Sequence, residues 1–206
     1  AATYCVTNAS ELQAALTAAA GSPADDEIRL RQGIYAAGQV LVYTSANPGW
    51  MFITGGWIQI GENNCAQQNT VAANTVLTGS GVHQVLSIFF NPSGTPSFGP
   101  RYGVQNLSIR DGYGDSASFQ RGGGLAMASY ANVQTEFWLD NVIIANNSGY
   151  FGGGADFYTQ RGLTRIVNSL FADNAAPTSA FGHFSAVSLT GDGPNGVLIA
   201  NTTFAN

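Results

Sequence analysis

Two periods organise the hydrophobic positions of this chain. From Asn8, the run Asn-Ala-Ser-Glu gives a capping-box start with Glu11 three residues on, and Leu12, Ala15, Leu16 and Ala19 then recur on one helical face until Gly21-Ser22-Pro23. This predicts one short amphipathic helix over residues 8–20. Beyond it the period falls from 3.6 to 2. Glu27-Ile28-Arg29-Leu30-Arg31 alternates apolar and charged positions, ends at Gln32-Gly33, and opens a long series of short strands bounded by Gly, Asn and Asp.

Those strands repeat. Aligned on the last inward apolar residue, they give anchors at Leu30, Ile53, Leu77, Ile109, Ile144, Phe171 and Phe204, spaced 23, 24, 32, 35, 27 and 33 residues apart. Asn stands three before the anchor in the last five units, at Asn74, Asn106, Asn141, Asn168 and Asn201, and turn residues follow each anchor. A second register runs between them: Gly122-Gly123-Gly124-Leu125, Gly152-Gly153-Gly154-Ala155 and a degraded copy at Gly182-His183-Phe184. Units this short, with two or three strands each, suit the coils of a parallel β-solenoid, in which stacked coils bury a continuous core and equivalent residues form ladders. All seven anchors are expected in one parallel sheet. The helix is expected to cover the open first coil, giving an N-terminal cap over residues 1–26 and a solenoid over 27–206.

The glycine segments, together with Phe171-Ala172-Asp173-Asn174, resemble the repeats of the bacterial polymorphic outer-membrane proteins and autotransporter passengers. These lie in the pectate-lyase-like superfamily of right-handed parallel β-helices. The N-terminal piece, with Leu12 to Ala19, Ile28 to Tyr35, Thr54-Gly55-Gly56-Trp57 and Cys65, is similar to the capped start of secreted bacterial β-helix proteins. The resemblance implies an all-β right-handed parallel β-helix of about seven coils with an N-terminal capping α-helix. It spans adhesins as well as polysaccharide lyases and hydrolases, so it specifies fold and leaves activity to the residues themselves.

Composition narrows the partners. Charged residues are only 9% of the chain, against a typical share of about 25%. The seven basic residues are all Arg and the net charge is −5. With no Lys and no basic stripe, nucleic acid and anionic membrane surfaces are excluded as expected partners. No stretch reaches the ~18 apolar residues of a membrane-spanning helix. Cys5 and Cys65 are the only cysteines and fit one disulfide, hence a secreted, periplasmic or outer-surface location; the alternative is two buried free thiols. The small residues Ala1-Ala2-Thr3 resemble a start left by signal peptidase.

Candidate chemistry is sparse. Asp111 and Asp173 share a register two coils apart, which a stacked solenoid would separate by ~9.6 Å, near the spacing of an inverting glycosidase pair. Asp140 and Asp156 complete the catalytic candidates, although Asp at these corners also serves simple turns. Asp111, Asp115 and Asp140, with Arg110 and Arg121, form the densest charged group, but Asp111-Gly-Tyr-Gly-Asp115 lacks the ligand count of a calcium loop, so no cofactor is expected and calcium is the one ion considered. Trp138 and Tyr158 alternate outward beside inward neighbours and are candidate sugar-stacking residues. The glycine runs carry no phosphate-loop Lys, and His83 and His183 have no nucleophile at a recognisable motif.

These observations predict a non-catalytic secreted or cell-surface β-helix module, adhesin-like or carbohydrate-contacting, with a polysaccharide or cell-surface ligand. The alternative is a polysaccharide lyase or glycoside hydrolase. The chain ends inside its seventh unit, which reads as a truncated solenoid. Its uncovered C-terminal coil is expected to form an end-to-end homodimer.

Overall fold

The computed structural model describes residues 1–114, 121–176, 186–191 and 195–205. The chain winds through coils of three faces. The first rung is β1 (Ala2–Val6), followed by α1 (Ala9–Ala20). The second coil is β2 (Asp26–Arg31), β3 (Gly33–Ala36) and β4 (Leu41–Ser45). The third comprises β5 (Met51–Ile60), β6 (Asn63–Gln68), a 3-10 turn at Ala72–Asn74, β7 (Thr75–Thr78) and β8 (Leu86–Phe90). From there strands run on through corners. β9 (Arg101–Arg110) covers two faces, β10 (Leu125–Ala145) covers three, and β11 (Ala155–Val167) covers two. β12 (Leu170–Ala172), β13 (Val187–Thr190), β14 (Asn195–Ala200) and β15 (Thr203–Ala205) finish the described coils. The fold is a parallel β-helix with an N-terminal helical cap.

Each face carries an inward ladder that runs from coil to coil. On the first it runs Tyr4, Ile28, Ile53, Val104, Leu139, Ile166 and Ile199, seven rungs in register. On the second it runs Tyr35, Leu77, Ile109, Ile144, Phe171 and Phe204. On the third it runs Tyr43, Ile88, Met127, Phe157 and Leu189. Five of the seven predicted anchors therefore stack as expected. Leu30 and Ile53 do not belong with them, because both lie on the first face. The error has a physical source: after Thr54 the third coil makes an antiparallel hairpin excursion, β5 against β6, before re-entering the second face at Thr75. The 24 residues from Ile53 to Leu77 imitate a coil but turn only one corner. Asn74, likewise, sits in the 3-10 turn rather than in the asparagine ladder.

The corners explain the polar residues. Asn106, Asn141, Asn168 and Asn201 all have positive φ, 48° to 56°, at the corner between the first and second faces. Ser80, Asp111, Asn146 and Asp173 do the same at the next corner, with φ of 52° to 56°. Asn and Asp tolerate this left-handed conformation better than other side chains with a Cβ. One residue on, the side chain turns inward. Asn147 accepts from the Gly112 N–H through Oδ1 (2.8 Å), and its Nδ2 donates to the Ile109 carbonyl (3.1 Å) and to Asn174 Oδ1 (3.0 Å). Asn174 Nδ2 donates in turn to the Ile144 carbonyl at 2.8 Å. A Cβ on Gly124 would lie 2.9 Å from the Asn147 amide carbon, and one on Gly154 2.9 Å from that of Asn174. The two repeat signatures are thus complementary: the third glycine makes room for the buried asparagine. The third glycine copy, at Gly182-His183-Phe184, lies outside the described residues.

The cap forms as the sequence predicts, with Leu12, Ala15, Leu16 and Ala19 buried. Glu11 N–H donates to Asn8 Oδ1 (2.9 Å), while Glu11 Oε2 accepts from Thr7 N–H and Oγ1, which together lower its pKa. The helix also closes the free edge of β4. Gln13 Oε1 accepts from Val42 N–H (2.8 Å) and its Nε2 donates to the Val42 carbonyl (2.9 Å), so one side-chain amide stands in for a neighbouring strand. Cys5 and Cys65 form the expected disulfide, tying the first rung to the hairpin.

Candidate functional site

Inward ladders fix the core, so chemistry is confined to residues that alternate outward. On the first face one outward column runs Glu27, Phe52, Gly103, Trp138, Arg165 and Leu198. Gly103 is required there, because a Cβ would collide with the Phe52 ring. Phe52 lies over that glycine and meets Trp138 edge to face, with centroids 6.0 Å apart and planes at 80°. Two aromatic rings from coils that are not neighbours thereby make one platform.

This platform floors an open groove of about 520 Å³. Its walls include Asp25, Asp26, Glu27, Trp50, Thr54 and Gln105. A second hollow of about 320 Å³ adjoins it through Trp50 and is lined by Phe98, Arg101, Gln134 and Glu136 among others. Charges along the face are paired. Arg101 Nε lies 2.6 Å from Glu136 Oε2 and Arg165 Nε 3.0 Å from Glu136 Oε1, while the Arg101 guanidinium sits 4.5 Å from the centre of the Trp50 ring. Arg29 lies 2.8 Å from Glu27 and stacks on Trp57 at 4.1 Å. The carboxylates also hold backbone: Asp25 Oδ1 accepts from Trp50 N–H (2.9 Å) and Asp26 Oδ1 from Ala2 N–H (2.7 Å). Of the buried polar atoms without a hydrogen-bond partner among the described residues, two belong to residues that line the groove, Trp138 Nε1 and Oδ2 of Asp26, a residue only 5% exposed.

The residues singled out from sequence are distributed over the coil rather than gathered. Trp138 is in the groove. Asp140 stands two residues along the same strand, one column over, where Oδ1 accepts from Asn168 Nδ2 at 2.9 Å. Tyr158 lies on the third face, 5.4 Å from Tyr130 and 5.2 Å from the Arg121 guanidinium. Asp156 is on that face too. It is 1% exposed, 2.7 Å from Arg121 Nε, and burial raises its pKa against the opposing pull of Arg121 and Ser188. Asp111 and Asp173 are exposed corner residues of the positive-φ ladder. Asp115 and His183 lie outside the described residues. Among the described residues no group of three or more His, Cys, Asp or Glu side chains is placed to hold a metal ion.

The chain matches no protein family profile and no curated protein sequence at a significant level. Among solved structures it is similar to the pectin methylesterase from Aspergillus niger in penultimately deglycosylated form, at 14% identity over 97% of this chain and 85% of that one, with a TM-score of 0.39. The fold rests on the ladders themselves.

Sequence reasoning missed most of the groove. Trp50, Phe52, Gly103 and Glu136 carried no motif, and their one common signal is parity, the outward position beside an inward ladder residue.

Proposed function

We propose that this protein is a non-catalytic, glycan-contacting β-helix module of secreted or cell-surface type, and that the groove on the first face is its contact surface. The observation that carries this reading is the Phe52–Trp138 platform built over Gly103, with Trp50 at its margin. Pyranose rings present flat C–H faces that stack on aromatic rings. The polar wall of Thr54, Gln105 and the carboxylates supplies hydrogen-bond partners for hydroxyls. The disulfide supports an oxidising, extracytoplasmic location, and the likeness of the glycine and Phe-x-x-Asn repeats to outer-membrane passenger repeats supports a surface role of adhesin type.

Two further carboxylates of the same face, Glu136 and Asp140, favour binding over turnover. Glu136 is shared by two arginines, Asp140 is held by Asn168, and the two stand four residues apart on one strand, ~13 Å along the chain and wider than either glycosidase geometry. Affinity electrophoresis through gels containing soluble polysaccharides tests the proposal. Retardation by at least one polymer is expected, and Trp138→Ala should weaken it about tenfold, 1.4 kcal/mol. Release of reducing ends or unsaturated products by purified protein would replace the binding role with the lyase or hydrolase alternative.

A further inference from the structure

Resting on the glycan-contacting reading, the groove's charge pattern also assigns the chemical class of the ligand. We infer that it selects a neutral polysaccharide, laid along the solenoid axis across the Phe52–Trp138 platform, and discriminates against uronate polymers. Three carboxylates, Asp25, Asp26 and Glu27, line the groove, and no arginine is among its lining residues. The arginines at its margins are already engaged: Arg101 and Arg165 with Glu136, Arg29 with Glu27, and Arg101 and Arg29 are stacked on Trp50 and Trp57 as well. A polymer with one carboxylate per sugar would meet the carboxylates of Asp25 and Asp26 at one end of the platform, while the arginines beside it are already paired.

Hydroxyl groups suit what remains. Thr54 and Gln105 line the groove beside the aromatic rings, and a hydroxyl can both give a hydrogen bond to such neutral side chains and receive one from them. The two rings lie 6.0 Å apart with planes at 80°, so one offers its face to a sugar ring while the other offers its edge beside it.

The test compares binding of a neutral mixed-linkage β-glucan, a neutral galactan and amylose with polygalacturonate, by isothermal titration at low and at high NaCl. At least one neutral polymer should bind with an affinity that salt leaves unchanged, and polygalacturonate should bind about tenfold more weakly at low salt. Phe52→Ala and Trp138→Ala, checked for native far-UV circular dichroism, should both lose neutral binding. Asp25→Asn combined with Glu27→Gln should narrow the gap between neutral and acidic polymers. Tighter binding of polygalacturonate, strengthened by lowering salt, sinks the neutral assignment while leaving the glycan reading in place. Failure of every polymer to bind, or unaltered binding by both aromatic variants, removes the glycan reading itself.

Discussion

Asn147 offers the sharpest test of how the solenoid is held together. Its neighbour Asn146 is exposed and has a φ of 56°, whereas Asn147 is 1% exposed and directs its amide into the core. Truncation to Asn147→Ala removes the acceptor of the Gly112 N–H and the side-chain donor to the Ile109 carbonyl; Asn174 Oδ1 keeps a partner, because the Asn147 backbone N–H still donates to it at 3.1 Å. Two buried groups thus lose their partners, at about 1–3 kcal/mol each, or roughly 4 kcal/mol together. For a chain of this size that lowers the melting temperature by about 8–16 °C. Asn146→Ala loses only the tolerance of asparagine for left-handed backbone and should cost about 1 kcal/mol, with Asn146→Gly close to neutral. Urea and thermal unfolding followed by circular dichroism measure all three. An Asn147→Ala cost at or below that of Asn146→Ala would falsify the claim that the inward amide, rather than the turn, is what the asparagine pair supplies.

Three further outcomes follow from the same geometry. Replacing both Cys5 and Cys65 by Ser opens a loop of 60 residues and should cost roughly 4 kcal/mol by loop-closure entropy; a melting temperature equal to that of the oxidised wild type would reject the account. Asp156 has a pKa raised above its unfolded value near 3.8, so the stability it contributes is full below that value and is lost as pH rises through the folded value. The stability of wild type relative to Asp156→Asn should therefore decline as pH increases from 3 to 7 in urea titrations, and a flat or rising difference contradicts it. Finally, Val197, Leu198, Ile199 and the 45% exposed Phe204 on the last described rungs should support end-to-end self-association. Sedimentation should show it reduced by Phe204→Asp, and a strictly monomeric wild type at high concentration ends that proposal.

Inward positions were legible because each ladder residue is read twice, once in its own strand's alternation and again in the next coil. Ile109, Ile144 and Phe171 announce themselves by both. Spacing alone cannot tell a coil from an insertion, so the hairpin at 57–68 displaced Ile53 onto the wrong face in the sequence alignment. A better signal was present at Tyr35, which pairs with Leu77 and begins the second-face ladder, but it follows a single corner residue and resembles the continuation of β2. The glycine and asparagine signatures were visible as separate motifs. Their complementarity was not, since Gly124 and Asn147 come from different coils and only stacking brings them within contact.

Outward chemistry obeys a different constraint, and this is why the groove was nearly silent in the sequence. A solenoid's surface columns are assembled from residues one coil apart, so Glu27, Phe52, Gly103, Trp138 and Arg165 are adjacent on the face yet lie 25 to 51 residues from one another along the chain. No local motif can encode them. Parity identifies Trp138 as outward, but only the register identifies its companion, and the companion is legible through an absence: Gly103 breaks an otherwise side-chain-bearing column where the Phe52 ring lies. Glycine inside a strand weakens it unless something uses the vacated space. Its occurrence at an outward position of the central rung, with no turn and no positive φ to require it, is accounted for by the Phe52 ring that lies over it, and this pairing is what the proposed glycan contact rests on.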